Sequence, residues 1–229
     1  MQVQIWSDFA CPYCYIGQHN LAQGLAKLND VQRASIQVIH RSFELAPDAL
    51  VNNPQSKYEQ LSQKYNVSIE RAHAMARQAT SMAESVGLHM DYDRVIMTNT
   101  FAAHQLAHLA AAEGLGEAMQ RALFEAHFVN GQHIGDTAVL QTLAEAVGID
   151  GAKVAEVLAT EAYATAVRDD EALAQRLQIS SVPFVVLDNR YAISGAQSAD
   201  YFAEALVQVM QEDQGKAKPG TDSGGSCAV

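Results

Sequence analysis

Two cysteines three positions apart are the chemically most distinctive residues of this sequence. They sit in Phe9-Ala10-Cys11-Pro12-Tyr13-Cys14. A strand pattern precedes them and a helix pattern follows. A thiol at a helix N-terminus faces unpaired backbone N–H groups and the positive end of the helix dipole, and both favour thiolate. Cys11 is therefore the expected low-pKa, exposed nucleophile. Pro12 in the first helical turn forfeits no hydrogen bond. Cys14 lies about one turn further on, on the same face, close enough to close a disulfide onto Cys11 and to release a mixed disulfide. The bland alternatives are half of a zinc site or two unconnected core cysteines. Zinc wants four ligands, and no second Cys or His pair stands at matching spacing.

Other chemistry-bearing types are less specific. His104 and His108 are four apart and share a helix face, but Gln105 follows His104, so the HExxH zinc signature fails. No metal is expected, and His104 reads as packing near a domain interface. Asp8 reads as a strand-end turn residue. Phe9 is either an apolar rim for substrate or core. Arg41 and Glu44 read as a solvated face, and Glu59, Glu70 and Glu84 as helix surface. Ser181-Val182-Pro183-Phe184 opens a late strand, where a proline is allowed. A cis bond at Pro183 would present the Val182 backbone beside the cysteines for an extended substrate, although trans is the ordinary state of an X–Pro bond. Cys227, the third and last cysteine, stands in a Gly- and Ser-rich stretch. It is read as an exposed thiol without a role, against the sharper alternative of exchange with Cys11.

The elements that must position these residues follow from periodicity. Gln2–Ser7 alternates as a strand, about 11–28 reads as a helix, and Ile36–Phe43 is a β-branched second strand, giving a βαβ unit with parallel pairing. Helices follow: one capped by Ser68 and stopped at Gly87, one near 99–113, and one carrying Met119 to Phe128. Two more are capped by Asp136 and Asp150, and another spans about 162–177. Phe184–Leu187 and Tyr191–Ser194 around Asp188-Asn189-Arg190 make a hairpin, and Ser198 caps a last amphipathic helix.

Composition bounds the function. The 229 residues are 48% hydrophobic, enough for a substantial core. With 15 Lys and Arg against 26 Asp and Glu, the formal charge is 15 − 26 = −11, which argues against nucleic-acid or anionic-membrane partners. Three cysteines are too few for a disulfide scaffold. No apolar run is long enough to span a membrane. The opening MQVQIWSDFACPYC lacks a basic n-region and a signal-length apolar run, so the expected compartment is the cytoplasm.

Several separated segments together resemble one family. SDFACPYCYIG (7–17), RSFELAPD (41–48), NTFAAHQLAHLA (99–110), GQHIGDTAVL (131–140) and SSVPFVVLDNRYAISGAQ (180–197) appear in the order found in the thioredoxin superfamily. The branch is the DsbA-like one with an all-helical insertion. Within it the chain is similar to the FrnE-like group, relatives of 2-hydroxychromene-2-carboxylate isomerases and kappa-class glutathione transferases. The resemblance implies an α/β thioredoxin fold split by a large helical insertion. Residues 1–53 and 179–211 would form the thioredoxin-like domain, 54–178 the insertion, and 212–229 a flexible tail.

It also implies a thiol–disulfide oxidoreductase. Cys11 and Cys14 would be the redox pair, and Val182–Pro183 the cis-proline loop. Pro12, Tyr13, Val182, Pro183 and Phe9 are taken as substrate-binding. The expected substrates are disulfide-containing proteins or small thiols. No cofactor is expected, with glutathione the candidate co-substrate, and the chain is expected to be a monomer or homodimer. The rival readings are a glutathione-dependent isomerase or transferase of aromatic or electrophilic molecules, and a cytosolic chaperone or binding module. Cys11, where the isomerase and transferase relatives carry serine, favours disulfide chemistry.

Overall fold

The computed structural model describes residues 1–216, and only the backbone over 213–216; Cys227 and most of the expected tail lie outside these residues. Strand β1 (Gln2–Ser7) is buried along all but its first residue. Helix α1 (Pro12–Ala26) starts with Cys11 as its N-cap and a proline in its first turn. A short helix α2 (Asp30–Ala34), absent from the sequence reading, is closed by an Asn29/Gln32 capping box. Strand β2 (Gln37–Ser42) then pairs parallel to β1, with Gln2 opposite Gln37 and Ser7 opposite Ser42.

The chain returns to the sheet only at β3 (Phe184–Leu187), which pairs antiparallel to β1, and at β4 (Tyr191–Ser194). The order is β2-β1-β3-β4. The expected hairpin is present. Asp188 and Asn189 take φ of 47° and 54°, left-handed values, within a three-residue connection that Arg190 N–H closes onto Leu187 O at 3.0 Å.

Helix α10 (Ala199–Lys216) runs past Glu212, where the helical pattern was expected to give way. It packs beside α1 on one sheet face, where Val3, Ile5, Leu21, Val185, Phe202 and Leu206 form one core. Gly24 permits that approach, since a Cβ there would meet Ala199 O and Phe202 Cβ at 2.9 Å.

Between β2 and β3 lie seven α-helices and a short 3-10 turn at Tyr92–Arg94: α3 (Lys57–Tyr65), α4 (Ile69–Ser85), α5 (Phe101–Ala112), α6 (Gly116–Phe128), α7 (Thr137–Val147), α8 (Gly151–Ala159) and α9 (Ala164–Arg176). Of these, α3 was not anticipated, although Ser56 and Glu59 close a capping box at its start. Ser68, Asp136 and Asp150 cap α4, α7 and α8 as expected. The largest core joins this block to α1: Tyr15 stacks on Phe124 and Phe128, and Cys14 and Ile16 are buried in the same cluster. Helix α9 covers the other sheet face, where Trp6, Ala174, Ile179 and Val186 pack together.

Gly24→Ala should force α1 and α10 apart and lower stability by about 1–3 kcal/mol, the usual range for overpacking a tight contact; urea unfolding of the full chain measures it.

Candidate active site

The site is built where β1 runs out. The Asp8 carboxylate accepts hydrogen bonds from Ala10 N–H at 3.1 Å, Leu45 N–H at 2.7 Å and the Thr100 hydroxyl at 2.8 Å. Its backbone carbonyl accepts from Cys11 N–H at 3.0 Å. Asp8 is 1% exposed and serves as a joint between β1, the segment after β2 and the start of α5, not as a simple turn residue. Burial would raise its pKa, but His104 and the Leu45 and Ala10 N–H groups outweigh burial and hold it below the ordinary value.

Cys11 has extended backbone, φ −96° and ψ 113°, and its carbonyl accepts from Cys14 N–H at 3.0 Å. Its thiol points at the Val182 carbonyl, 3.7 Å away. The Val182–Pro183 peptide is cis. Pro183 fits against Gly17, where a Cβ would lie 2.8 Å from the proline Cγ. The two thiols are unequal. A hydrogen bond from Cys14, which outweighs burial, draws the Cys11 pKa down, whereas burial followed by the neighbouring Cys11 pushes Cys14 well up. Cys11 is free, as is Cys14. At 5% exposure Cys11 is recessed, not exposed on the surface as its helix-terminal place alone suggested, because the inserted helices fold over it.

A pocket of about 610 Å³ opens above it. Cys11, Pro12 and Tyr13 form one wall. The β2–α3 segment, with Leu45 and Pro47, forms a second, and Lys64 and Tyr65 of α3 with Met75 of α4 form the far side. Tyr92 and Met97 also line it. Three polar side chains before α5 hold these walls. Thr98 donates to Val51 O at 2.9 Å, Asn99 to Pro47 O at 3.0 Å, and Thr100 to Asp8. Each bond joins residues distant in sequence, so no local pattern announced them.

Of the residues expected to bind substrate, Pro12 and Tyr13 line the pocket, Val182 faces the Cys11 thiol, and Pro183 is buried behind it. Phe9 does not belong with them. It is 1% exposed, tilted against His104 at 4.9 Å and Phe124 at 5.1 Å, and is core. The chain turns inward after β1, and α5 and α6 close over the ring.

Arg41 and Glu44 are not a solvated face either. Arg41 pairs with Asp170 at 2.8 Å and with Gln4, and the inaccessible Glu44 carboxylate pairs with Arg168 at 2.6 Å. His104 does pack at the joint between frame and insertion, 3.6 Å from Asp8. His108 is 3.2 Å from Asp170 and 3.1 Å from Ser42. Among the described residues no group of three His, Cys, Asp or Glu side chains could hold a metal ion, and no helix is long and apolar enough to cross a membrane.

A parallel β1–β2 pair, an antiparallel β3–β4 hairpin, a CxxC at the start of α1 and a cis-proline facing it define a thioredoxin-type protein. Residues 2–207 match the DSBA-like thioredoxin domain family, and the chain belongs to it. A probable DsbA oxidoreductase of Streptomyces coelicolor is 37% identical over all of this chain and 99% of its own, with a TM-score of 0.85. The fold is shared at lower identity by a 2-hydroxychromene-2-carboxylate isomerase (16%, TM-score 0.71, 95% of this chain and 100% of that one). It is also shared by the cytosolic disulfide reductase DsbM of Pseudomonas aeruginosa (17%, TM-score 0.64, 95% and 100%).

The joint beside the site is pH-sensitive in a defined direction. Burial would raise the Asp170 pKa, but His108, Ser42 N–H and Arg41 hold it below 3.8. The native state thus binds its proton less readily than the unfolded chain. The stability this gives is present above about pH 4 and is lost as pH falls through the folded value. Asp170→Asn should cost about 1–3 kcal/mol at neutral pH, and the gap from wild type should narrow as pH falls below about 4 in urea unfolding.

Proposed function

We propose that this chain is a thiol–disulfide oxidoreductase in which Cys11 attacks and Cys14 resolves. The observation that carries the reading is the asymmetry of the pair. Cys11, the more acidic thiol, lines the pocket against the Val182 carbonyl, while Cys14, the less acidic one, is buried one turn behind.

In the reductive direction the Cys11 thiolate attacks one sulfur of a substrate disulfide. The S–S bond breaks, the other sulfur leaves as thiolate and takes a proton, and a mixed disulfide forms. Cys14, once deprotonated, attacks Cys11 Sγ. The second substrate sulfur leaves, and two electrons have passed from the pair to the substrate as Cys11–Cys14 closes. The reverse cycle oxidises a dithiol. The Val182 backbone aligns an extended substrate, and Pro12 and Tyr13 touch it.

A closed Cys11–Cys14 disulfide must be reopened by two thiol equivalents, and glutathione is the proposed co-substrate. The solved complex of DsbM with GSH, on the same fold at a TM-score of 0.63, supports that choice. Disulfide-bearing proteins and small disulfides are the proposed substrates, and the cytoplasm the proposed compartment. The isomerase or transferase reading draws support from the aromatic and thioether wall of Tyr92, Met75 and Met97.

Cys11→Ser should lower insulin-disulfide reduction to the uncatalysed background, while Cys14→Ser should accumulate mixed disulfides visible by mass spectrometry. Undiminished turnover in Cys11→Ser overturns the mechanism. Activity towards aromatic electrophiles that survives Cys14→Ser favours the isomerase or transferase reading instead.

A further inference from the structure

A second hollow, bordered by α1, β2, α5 and α6, is left unused by the disulfide chemistry. Two cavities of about 670 and 230 Å³ adjoin there, with Ala22, Leu25, Val38, His40 and Glu117 common to both linings. No residue of either lining belongs to the pocket above Cys11. The space is of the size that takes a small organic molecule.

A short polar chain runs along its wall. Gln18 lines the smaller cavity, Gln120 the larger, and His40 both. Gln18 Nε2 donates to His40 Nδ1 at 3.0 Å and to Gln120 Oε1 at 3.5 Å. An amide nitrogen only donates, so His40 Nδ1 accepts and the ring proton sits on Nε2. Burial pushes the His40 pKa down to about 4, so the ring is neutral at neutral pH. Among the described residues nothing accepts from His40 Nε2–H or from the amide nitrogen of Gln120, a side chain only 5% exposed. Neither nitrogen is sealed inside the protein, so both donors open onto the hollow.

The rim offers no spare positive charge to an anion. Arg41 and His108 are answered by Asp170, and Arg33 by Asp30. Arg121 stands one helical turn from both Glu117 and Glu125. Two neutral donors suit neither an ammonium head nor a carboxylate that must shed its water to reach them. They suit a neutral acceptor. The walls beside them, Ala22, Leu25, Val38, Ala107 and Ala111, are apolar.

We propose that this hollow binds an uncharged, largely apolar molecule through a carbonyl oxygen, that of a ketone, ester or amide. The oxygen accepts from His40 Nε2–H, with the Gln120 amide as the second donor, and the apolar body lies against Ala22, Leu25 and Val38. Gln18 touches no ligand atom in this arrangement; it fixes the His40 tautomer and is a positioning residue. The site is separate from the disulfide reading and does not depend on it.

The test is an NMR titration of the isotope-labelled full-length protein with three one-ring probes: acetophenone, benzoate and ethylbenzene. Acetophenone should move the His40 ring and the Gln18 and Gln120 side-chain amide signals saturably. It should bind about fivefold to tenfold tighter than either other probe, the worth of a neutral hydrogen bond. His40→Phe keeps a flat ring and removes the donor. It should erase the preference over ethylbenzene and leave ethylbenzene affinity unchanged. Benzoate binding as tightly as acetophenone, equal affinity for acetophenone and ethylbenzene, or a preference that survives His40→Phe overturns the site. So do signals that move only in the cysteine pocket, around Tyr13 and Met97. If His40→Phe does not fold, Gln120→Met takes its place, and loss or survival of the preference decides in the same way. If neither folds, the order of the three probes on the wild type and the location of the moved signals decide.

Discussion

A carboxylate sealed from water must be surrounded by donors, and Asp8 draws its donors from three separate stretches of chain. Ala10 belongs to its own loop, Leu45 follows β2, and Thr100 opens onto α5. The bond from Thr100 forms only once the frame and the insertion have come together. Once formed, the three bonds fix the loop that carries Cys11 and the segment that walls the pocket above it. Losing one donor would leave a buried charge short of a partner, a cost well above that of an ordinary surface bond. The placement of the thiols therefore depends on a polar joint that the hydrophobic cores alone do not specify.

The two thiols differ although they are three residues apart. Both belong to α1, but the helix N-terminus and the pocket face Cys11, while Cys14 is turned into the core shared with Tyr15 and Ile16. Helix geometry supplies the spacing; the hydrogen bond from Cys14 draws the Cys11 pKa down, and burial with the neighbouring Cys11 pushes Cys14 up. A second polar joint, Asp170 with Arg41, His108, Ser42 and the Trp6 indole, seats α9 on the opposite sheet face. The helical block is thus fastened to the sheet on two sides, by two buried carboxylates.

What could be read from the sequence was what is local. The CxxC spacing, the strand before it, the Asp188-Asn189 turn and the Ser68, Asp136 and Asp150 caps each depend on residues within a few positions. What could not be read was long-range. Thr100 lies 92 residues from Asp8, and Asp170 lies 129 residues from Arg41. An isolated Asp or Arg therefore looks like a turn or a wet surface. Phe9 was ambiguous because its neighbours His104 and Phe124 arrive from α5 and α6. Helix α3 escaped for a different reason: its capping box was present, but Leu61 is its one buried residue, too little for an apolar stripe.

The insertion enters after β2 and leaves before β3, so the pocket's far walls come from one excursion of the chain and the reactive sulfurs from the frame. Under the proposed function, selectivity and reactivity are held on different parts of the polypeptide. Residues of α3 and α4 line the pocket without belonging to the turn of helix that carries Cys11. A recess of about 610 Å³ has Cys11 at its inner wall. Under the proposed disulfide chemistry, a compact disulfide or one carried on a protruding loop would fit it, and a bridge lying flat in the surface of a folded protein would not.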